Sequence, residues 1–440
     1  MSYESIKSFV LTILVLVSIL LTWALWTYQP EYETIDNTNI VNNVPISNSR
    51  DLSSLIKPTK ILFHTSGTHY GTIEETEINS IIKEVSNWEF SELTNISGSL
   101  STNGFSPFLK EDGHVEILFV DEIPLTIYRA MFQFSDQEFP TITFDRMIVN
   151  MNTAAEDYGI VYFVSGRDMK VFEAKVNRES IRDFEQYVNQ STNYPEYFPY
   201  HVTETKSIFL PVQTTTMNSV QYYTDYLDPE MFKDALFTDP SIVKKHNLTY
   251  GEEYTDGSRL LRVSTGRQTF QYINPVNNTE TDSIGVSELI RSSIDFINDH
   301  GGWTDRYRYF TTDKYEQRTV FRLYINNYPV FNKSGLTEIH QVWNKNEVLR
   351  YQRPLLVLEI PIPSSPIDLP RGETVVEMLK EQEGFDPLLL GDITIGYELI
   401  ENQEKTNVAT LVPIWSYFYD GRWRKLEFKQ DTGGNVGGLE

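Results

Sequence analysis

The sequence predicts a mixed α+β protein: an N-terminal transmembrane helix, then a multi-domain, mostly antiparallel extracytoplasmic region. Three observations carry this reading. Residues 8–30 hold no charged side chain, and Phe9 to Thr27 reads FVLTILVLVSILLTWALWT. The rest of the chain alternates short β-patterned runs with turn residues and a few amphipathic helices. At 440 residues, 40% apolar and 22% charged, the chain is long enough for several buried cores. Its 26 Tyr, 25 Phe and 7 Trp suit sheet-rich domains.

The apolar run, at about 1.5 Å per residue, comes close to the roughly 30 Å hydrocarbon layer. Trp23, Trp26 and Tyr28 gather at its downstream end, where amphipathic rings favour the headgroup zone. A cleaved signal peptide calls for a shorter apolar run and small residues at its end, but here the run leads into WALWTYQP. A core helix is rarely apolar on every side. Lys7 and the terminal amine precede the run, and Glu31, Glu33 and Asp36 follow it. The expected topology is therefore single-pass: a cytoplasmic tail over 1–8, a helix over 9–28, and everything beyond it outside. On a helical wheel Ser8, Thr12, Ser18 and Thr22 fall within about 120° and form the candidate interaction face for partner helices. Residues 29–57 are rich in Asn, Ser, Thr and acids and are expected to be a linker.

The first domain is expected over 58–205. TKILFH (59–64) is a strand that turns at Ser66-Gly67. Over 73–88, Ile78, Ile81, Ile82 and Val85 share one helical face. Strands are expected at 114–120, 141–149, 159–165 and 169–176, and a short helix at 179–188. NYPEYFPY (193–200) carries two prolines and is expected to be a break. The middle domain, 206–310, holds a helix with Pro229 at its start and a hairpin of 260–264 and 268–273 around Thr265-Gly266-Arg267. Its second helix, over 284–299, groups Val286, Leu289, Ile290, Ser293, Ile294 and Ile297 and stops at His300-Gly301-Gly302. The C-terminal domain, 311–440, holds strands at 320–326, 337–343 and 347–352, a helix over 373–380, and strands at 391–400, 406–421 and 424–430. One internal repeat aligns without gaps: RVSTGRQTFQYINP (262–275) on QVWNKNEVLRYQRP (341–354). It matches Val263 to Val342, Tyr272 to Tyr351 and Pro275 to Pro354. Any two hairpins share some of this likeness, but each of these is followed by a helix.

The formal net charge of −24, from 37 Lys and Arg against 61 Asp and Glu, argues against a nucleic-acid surface or broad adhesion to anionic lipid. With no cysteine, disulfides, thiolate metal sites and Cys nucleophiles are excluded. His64 and His69 lie five apart across a strand and turn, yet no Cys or paired carboxylate near them in sequence completes a metal set. Ser66-Gly67 lacks the pattern of a nucleophile elbow, and no phosphate loop or dinucleotide fingerprint appears. Acid pairs such as Asp121-Glu122 and Glu252-Glu253 are what an acid-rich chain contains. No residue is assigned a catalytic, cofactor-binding or metal role, and no enzyme activity or cofactor is expected.

The N-terminal ESIKSFVLTILVLVSILLTW, KILFH near residue 60, YTDGSRLLRV (254–263), GLTEIHQVW (335–343) and ATLVPIWSYFYDG (409–421) together resemble the YycH (WalH) family. The resemblance implies a membrane-anchored regulator in Gram-positive bacteria of low G+C content. It would be integral to the cell membrane by one helix and work with a YycI-like membrane protein and the YycG/WalK sensor histidine kinase. That kinase belongs to an essential two-component system for cell-wall homeostasis. The resemblance also implies a distinctive N-terminal domain followed by two further ones, the C-terminal part resembling YycI. It carries no catalytic motif. The implied control is negative in bacilli and positive in some other genera, through transmembrane and extracytoplasmic contacts, and self-association stays open. The alternatives are a ligand-sensing module for a wall fragment or peptide, and a wall-modifying enzyme.

Overall fold

The computed structural model describes residues 3–27, 46–100, 102–136, 140–154, 156–275, 283–345, 347–402 and 407–428. It divides into two units, residues 1–44 and 45–440.

In the first unit the uncharged run does form a helix, Tyr3–Thr27. Among the described residues, however, no helix is long and apolar enough to cross a membrane. The expected transmembrane helix over 9–28 is therefore corrected. The same finding overturns the signal-anchor reading, integration into the membrane by one helix and the transmembrane part of the regulatory route. It also overturns the single-pass cell-membrane localisation with its cytoplasmic N-terminus and extracytoplasmic remainder.

In the second unit the α+β, mostly antiparallel character of the sequence is realised in two sheets. Strand Lys60–Thr65 turns at Ser66 and Gly67, both at positive φ (54° and 75°), into Thr68–Thr72. A two-residue loop with both φ positive is the turn that matches strand twist, and glycine takes its second place without strain. Around this hairpin a ten-stranded sheet grows in the order 207–211, 196–201, 68–72, 60–65, 114–124, 143–150, 158–165, 170–177, 89–95 and 133–134. Every pair is antiparallel except the last.

The period-2 alternation of its strands sorts the two faces of this sheet. Ile61, Phe63, Val115 and Ile117 join the main core with Ile78, Ile81 and Val85 of helix Glu75–Ser86 and with Ile181 and Phe184 of helix Arg178–Gln190. On the other face Leu62 packs with Tyr197 and Phe209, and helix Thr102–Leu109 covers Ile148, Tyr162 and Val164. The expected break at 193–200 is a strand, Glu196–His201. Pro199 is tolerated because pairing with 68–72 ends at Tyr197, so the missing N–H faces no neighbour on that side.

The second sheet has fourteen strands, from Lys244–Leu248 at one edge to Leu356–Leu369 at the other. Tyr307–Asp313 adds to Arg318–Ile325, and Arg422–Lys425 adds to Val408–Tyr419. Its parallel contact joins Tyr328–Phe331 to Leu390–Glu401. The expected helices form as Pro229–Leu236, Val286–Asp299 and Gly372–Lys380. Asp228 caps the first through the Glu230 N–H at 2.9 Å. The second buries Leu289, Ile290, Ser293, Ile294 and Ile297 and ends at Gly301, whose φ of +64° is the left-handed stop. The sequence reading assigned nothing to the long strand Leu356–Leu369, which holds Pro361, Pro363 and Pro366. They fit because this strand is an edge, paired only with Thr215–Tyr226.

The internal repeat becomes a local two-fold arrangement. Strands 269–273 and 347–354 of the two hairpins pair antiparallel, and the matching residues Tyr272 and Tyr351 lie opposite one another in that ladder. The two hairpins thus form one four-stranded block, in the order 260–264, 269–273, 347–354 and 338–344.

Beside this block His300 is buried, its Nδ1 2.6 Å from the Phe296 carbonyl and its Nε2 3.2 Å from the Tyr351 hydroxyl. Burial, with Arg353 nearby, lowers the imidazole to about 3. A base whose folded-state pKa is lowered contributes stability above its ordinary value near 6.5, and that stability is lost as pH falls from there toward 3. Between pH 7 and pH 5 this one group should cost on the order of 2 kcal/mol. His300→Gln should flatten the fall in melting temperature over that interval relative to the parent. An equal fall in both proteins would contradict the assignment.

Candidate functional site

The second face of the ten-stranded sheet looks across a cleft of about 1740 Å³ to strands of the fourteen-stranded sheet. Charged side chains line both walls. Lys60, Glu116 and Arg146 come from the first sheet, and Arg322, Glu338, Asp392 and Arg424 from the second.

The hairpin that opens the first sheet sets one wall. A two-residue turn at 66–67 places His64 opposite His69 in register, with their Nδ1 atoms 2.8 Å apart. His64 Nε2 lies 2.8 Å from the Glu116 carboxylate, whose other oxygen accepts from Arg146 at 3.0 Å. Arg146 also pairs with Asp145 at 3.2 Å. Burial alone would raise the Glu116 carboxyl, but its bond to His64 and the charge of Arg146 hold it below its usual range. An ionised carboxylate only accepts, so His64 Nε2 carries a proton and donates to Glu116, and one of the two Nδ1 atoms donates to the other. Burial and the adjacent His64 lower His69 to about 4, which keeps it neutral near pH 7. The structure therefore brings together the two histidines singled out in the sequence and adds Glu116 on strand 114–124. Among the described residues no group of three or more His, Asp or Glu is arranged to hold a metal.

On the opposite wall Arg322 is 4% exposed, its guanidinium between the rings of Phe310 and Phe331 at 4.1 and 4.4 Å. It bonds Glu338, which also accepts from His340 at 2.6 Å. Burial would raise the Glu338 carboxyl, but Arg322 and His340 bring it down to about 2. Across the cleft Lys60, over the Tyr197 ring at 5.0 Å, donates to the Phe209 carbonyl at 2.9 Å. Its surroundings lower Lys60 through desolvation, against the attraction of Asp392. Asp392 is raised by desolvation, although its carboxylate is open to the cleft solvent.

A polar seam beside the cleft ties the two sheets. Glu75 receives Arg308 at 2.7 Å, Lys57 at 3.3 Å and Arg306 at 3.6 Å. Asn327 donates to the Thr59 and Ile73 carbonyls at 3.1 and 2.8 Å. Asp121 accepts from Arg167 at 2.8 Å and from the Thr311 hydroxyl at 2.7 Å. Residues 46–57 pack here too: Ser47 donates to the Trp303 carbonyl, and Leu55 and Ile56 are buried.

Of the candidate face in the N-terminal helix, the side chains of Ser8 and Thr12 lie outside the described residues. Ser18 and Thr22 are exposed, and the Thr22 hydroxyl donates to the Ser18 carbonyl at 2.8 Å. The residues of these networks that the sequence reading passed over, Glu75 and Glu116, are single acids among 61 Asp and Glu, and Asp121 was noted there only as half of an acid pair. The one signal for any of them was the symmetric placement of His64 and His69 about the turn.

Two sheets stitched by buried charged side chains face one another across a wide cleft, and comparison with known proteins gives the family. The domain family described as "YycH protein, N-terminal domain" matches residues 4–193, and "YycH protein, C-terminal domain" matches 205–433. A curated relative from Bacillus subtilis (strain 168), "Two-component system WalR/WalK regulatory protein YycH", is 27% identical over 439 residues, covering 96% of each chain. The crystal structure of YycH from Bacillus subtilis superimposes with a TM-score of 0.74 at 25% identity, covering 86% of this chain and 98% of that one. The chain belongs to the YycH family, and as a member of it the protein is not an enzyme.

Proposed function

We propose that the protein is a regulator in two-component signalling. It acts on a WalK-type sensor histidine kinase through binding surfaces of its folded region, residues 45–440. The observation that carries this reading is the end-to-end match, along 96% of both chains, to a relative described as a WalR/WalK regulatory protein. Regulation of this kind requires the protein to bind two states of the kinase with different affinities, since equal affinity shifts nothing. Large rigid sheets with buried ion pairs suit that role, because they present a surface that changes little on binding.

The face of Ser8, Thr12, Ser18 and Thr22 enters this proposal as a second contact surface. Replacing Thr12, Ser18 and Thr22 together with leucine should weaken recovery of the kinase. The main test is photo-crosslinking in cells from positions around the cleft, such as Tyr315 and Ile395, read by mass spectrometry. Recovery of the kinase from at least one position is expected. Full protein levels with no kinase recovered from any position would contradict the reading.

A further inference from the structure

Strand Arg422–Lys425 reads Arg-Trp-Arg-Lys and pairs on one side only, with Val408–Tyr419. Its other edge meets no strand among the described residues. All four residues line the cleft. The cleft lining gathers 13 of the chain's 37 Lys and Arg but only 10 of its 61 Asp and Glu. A protein of net charge −24 thus carries a recess of positive balance.

Of the ten acids in that recess, Glu116 is held by His64 and Arg146, Asp121 by Arg167, Glu338 by Arg322, and Glu398 by Lys425 at 2.8 Å. Lys333 and Arg422 are exposed and make no ion pair among the described residues. The strand is held in place by Trp423, whose ring packs on Phe331, Phe418 and Phe310 at 5.2, 5.5 and 5.9 Å.

We propose that the open edge of Arg422–Lys425 docks an extended acidic segment of a partner protein. The segment adds as one more strand, with its carboxylates toward Arg422, Arg424 and Lys333. Charge complementarity selects an acidic occupant. The volume of about 1740 Å³ exceeds the roughly 300–1,000 Å³ of single small-molecule sites and suits a length of chain. An unpaired strand edge is the feature that binds a peptide backbone and that a phosphate polymer cannot use.

The inference rests on the reading of the chain as a protein-binding regulator. Its test needs no kinase, so failure here leaves that reading standing. The full chain is titrated with a fluorescent decapeptide alternating Glu and Val, and binding is followed by anisotropy at low salt. Comparison probes are the same peptide with Lys for Glu, the Glu peptide N-methylated at alternate residues, and inorganic polyphosphate. Saturable binding of the Glu peptide is expected, with at least tenfold weaker binding of the Lys and N-methylated forms. Arg422→Glu with Arg424→Glu should reduce binding at least tenfold, while Lys244→Glu with Lys245→Glu, on the far sheet edge, should change it less than twofold. Equal binding of the N-methylated peptide would overturn strand addition. Binding of polyphosphate without the peptide, or equal losses from both variant pairs, would overturn the proposal as a whole. The N-methylated probe leaves the protein unaltered, so the test stands even if a variant fails to fold.

Discussion

Glu116→Ala is expected to lower the stability of the folded region by about 3–5 kcal/mol, the range for removing one partner of a buried ion pair. Glu116 is fully buried and is shared by His64 at 2.8 Å and Arg146 at 3.0 Å. Its loss leaves His64 Nε2–H without an acceptor and Arg146 with Asp145 alone. Glu116→Gln should cost less than Glu116→Ala, because the amide oxygen still accepts a hydrogen bond. Denaturant unfolding of the three proteins checks both statements. A loss below about 1 kcal/mol for the alanine variant would mean that the network is not held together by this carboxylate.

The second large effect is expected at the seam. The Arg308 side chain is 7% exposed. It reaches Glu75 at 2.7 Å, bonds Asn327 and lies 5.1 Å from the Tyr324 ring. Asn327 in turn holds the Thr59 and Ile73 carbonyls of the first sheet's outer segments. Arg308→Ala removes the more buried of the two arginines that reach Glu75 and loosens the amide it bonds, for about 2–4 kcal/mol. The loss should be localised. Hydrogen exchange should quicken over 57–75 and 306–327 while 158–177, the seventh and eighth strands of the first sheet, stays protected. A uniform rise along the whole chain would show instead that the two sheets unfold as one body and that the seam has no separate role.

These residues mark the limit of what could be read from sequence. The strand 114–124 was legible from its apolar run, and the helix 286–299 from its 3.6-residue period. Both depend on neighbours within a few residues. That Glu116 lies against His64, or that Glu75 meets Arg308, depends on which strands are adjacent, and strand order is written in no local pattern. The prolines misled in one direction: 193–200 read as a break but holds the strand 196–201, because the rule against proline in strands is relaxed where one side of the strand is unpaired. The N-terminal run misled in another. Its uncharged length predicted a membrane span, whereas among the described residues no helix is long and apolar enough to cross a membrane. The chemistry of the cleft was illegible for a simpler reason: its cations are scattered from Lys60 to Lys425 and converge only when the two sheets face one another.

The central claim is that this YycH-family protein changes the output of a WalK-type kinase by binding it. The direct measurement is the phosphorylated fraction of the cognate response regulator, resolved by phosphate-affinity electrophoresis. It is taken in cells with the chain, without it, and with it restored from a plasmid. A change of at least twofold on deletion, reversed on restoration, is the predicted result. An unchanged fraction across all three, with the kinase present at equal level, would contradict the claim.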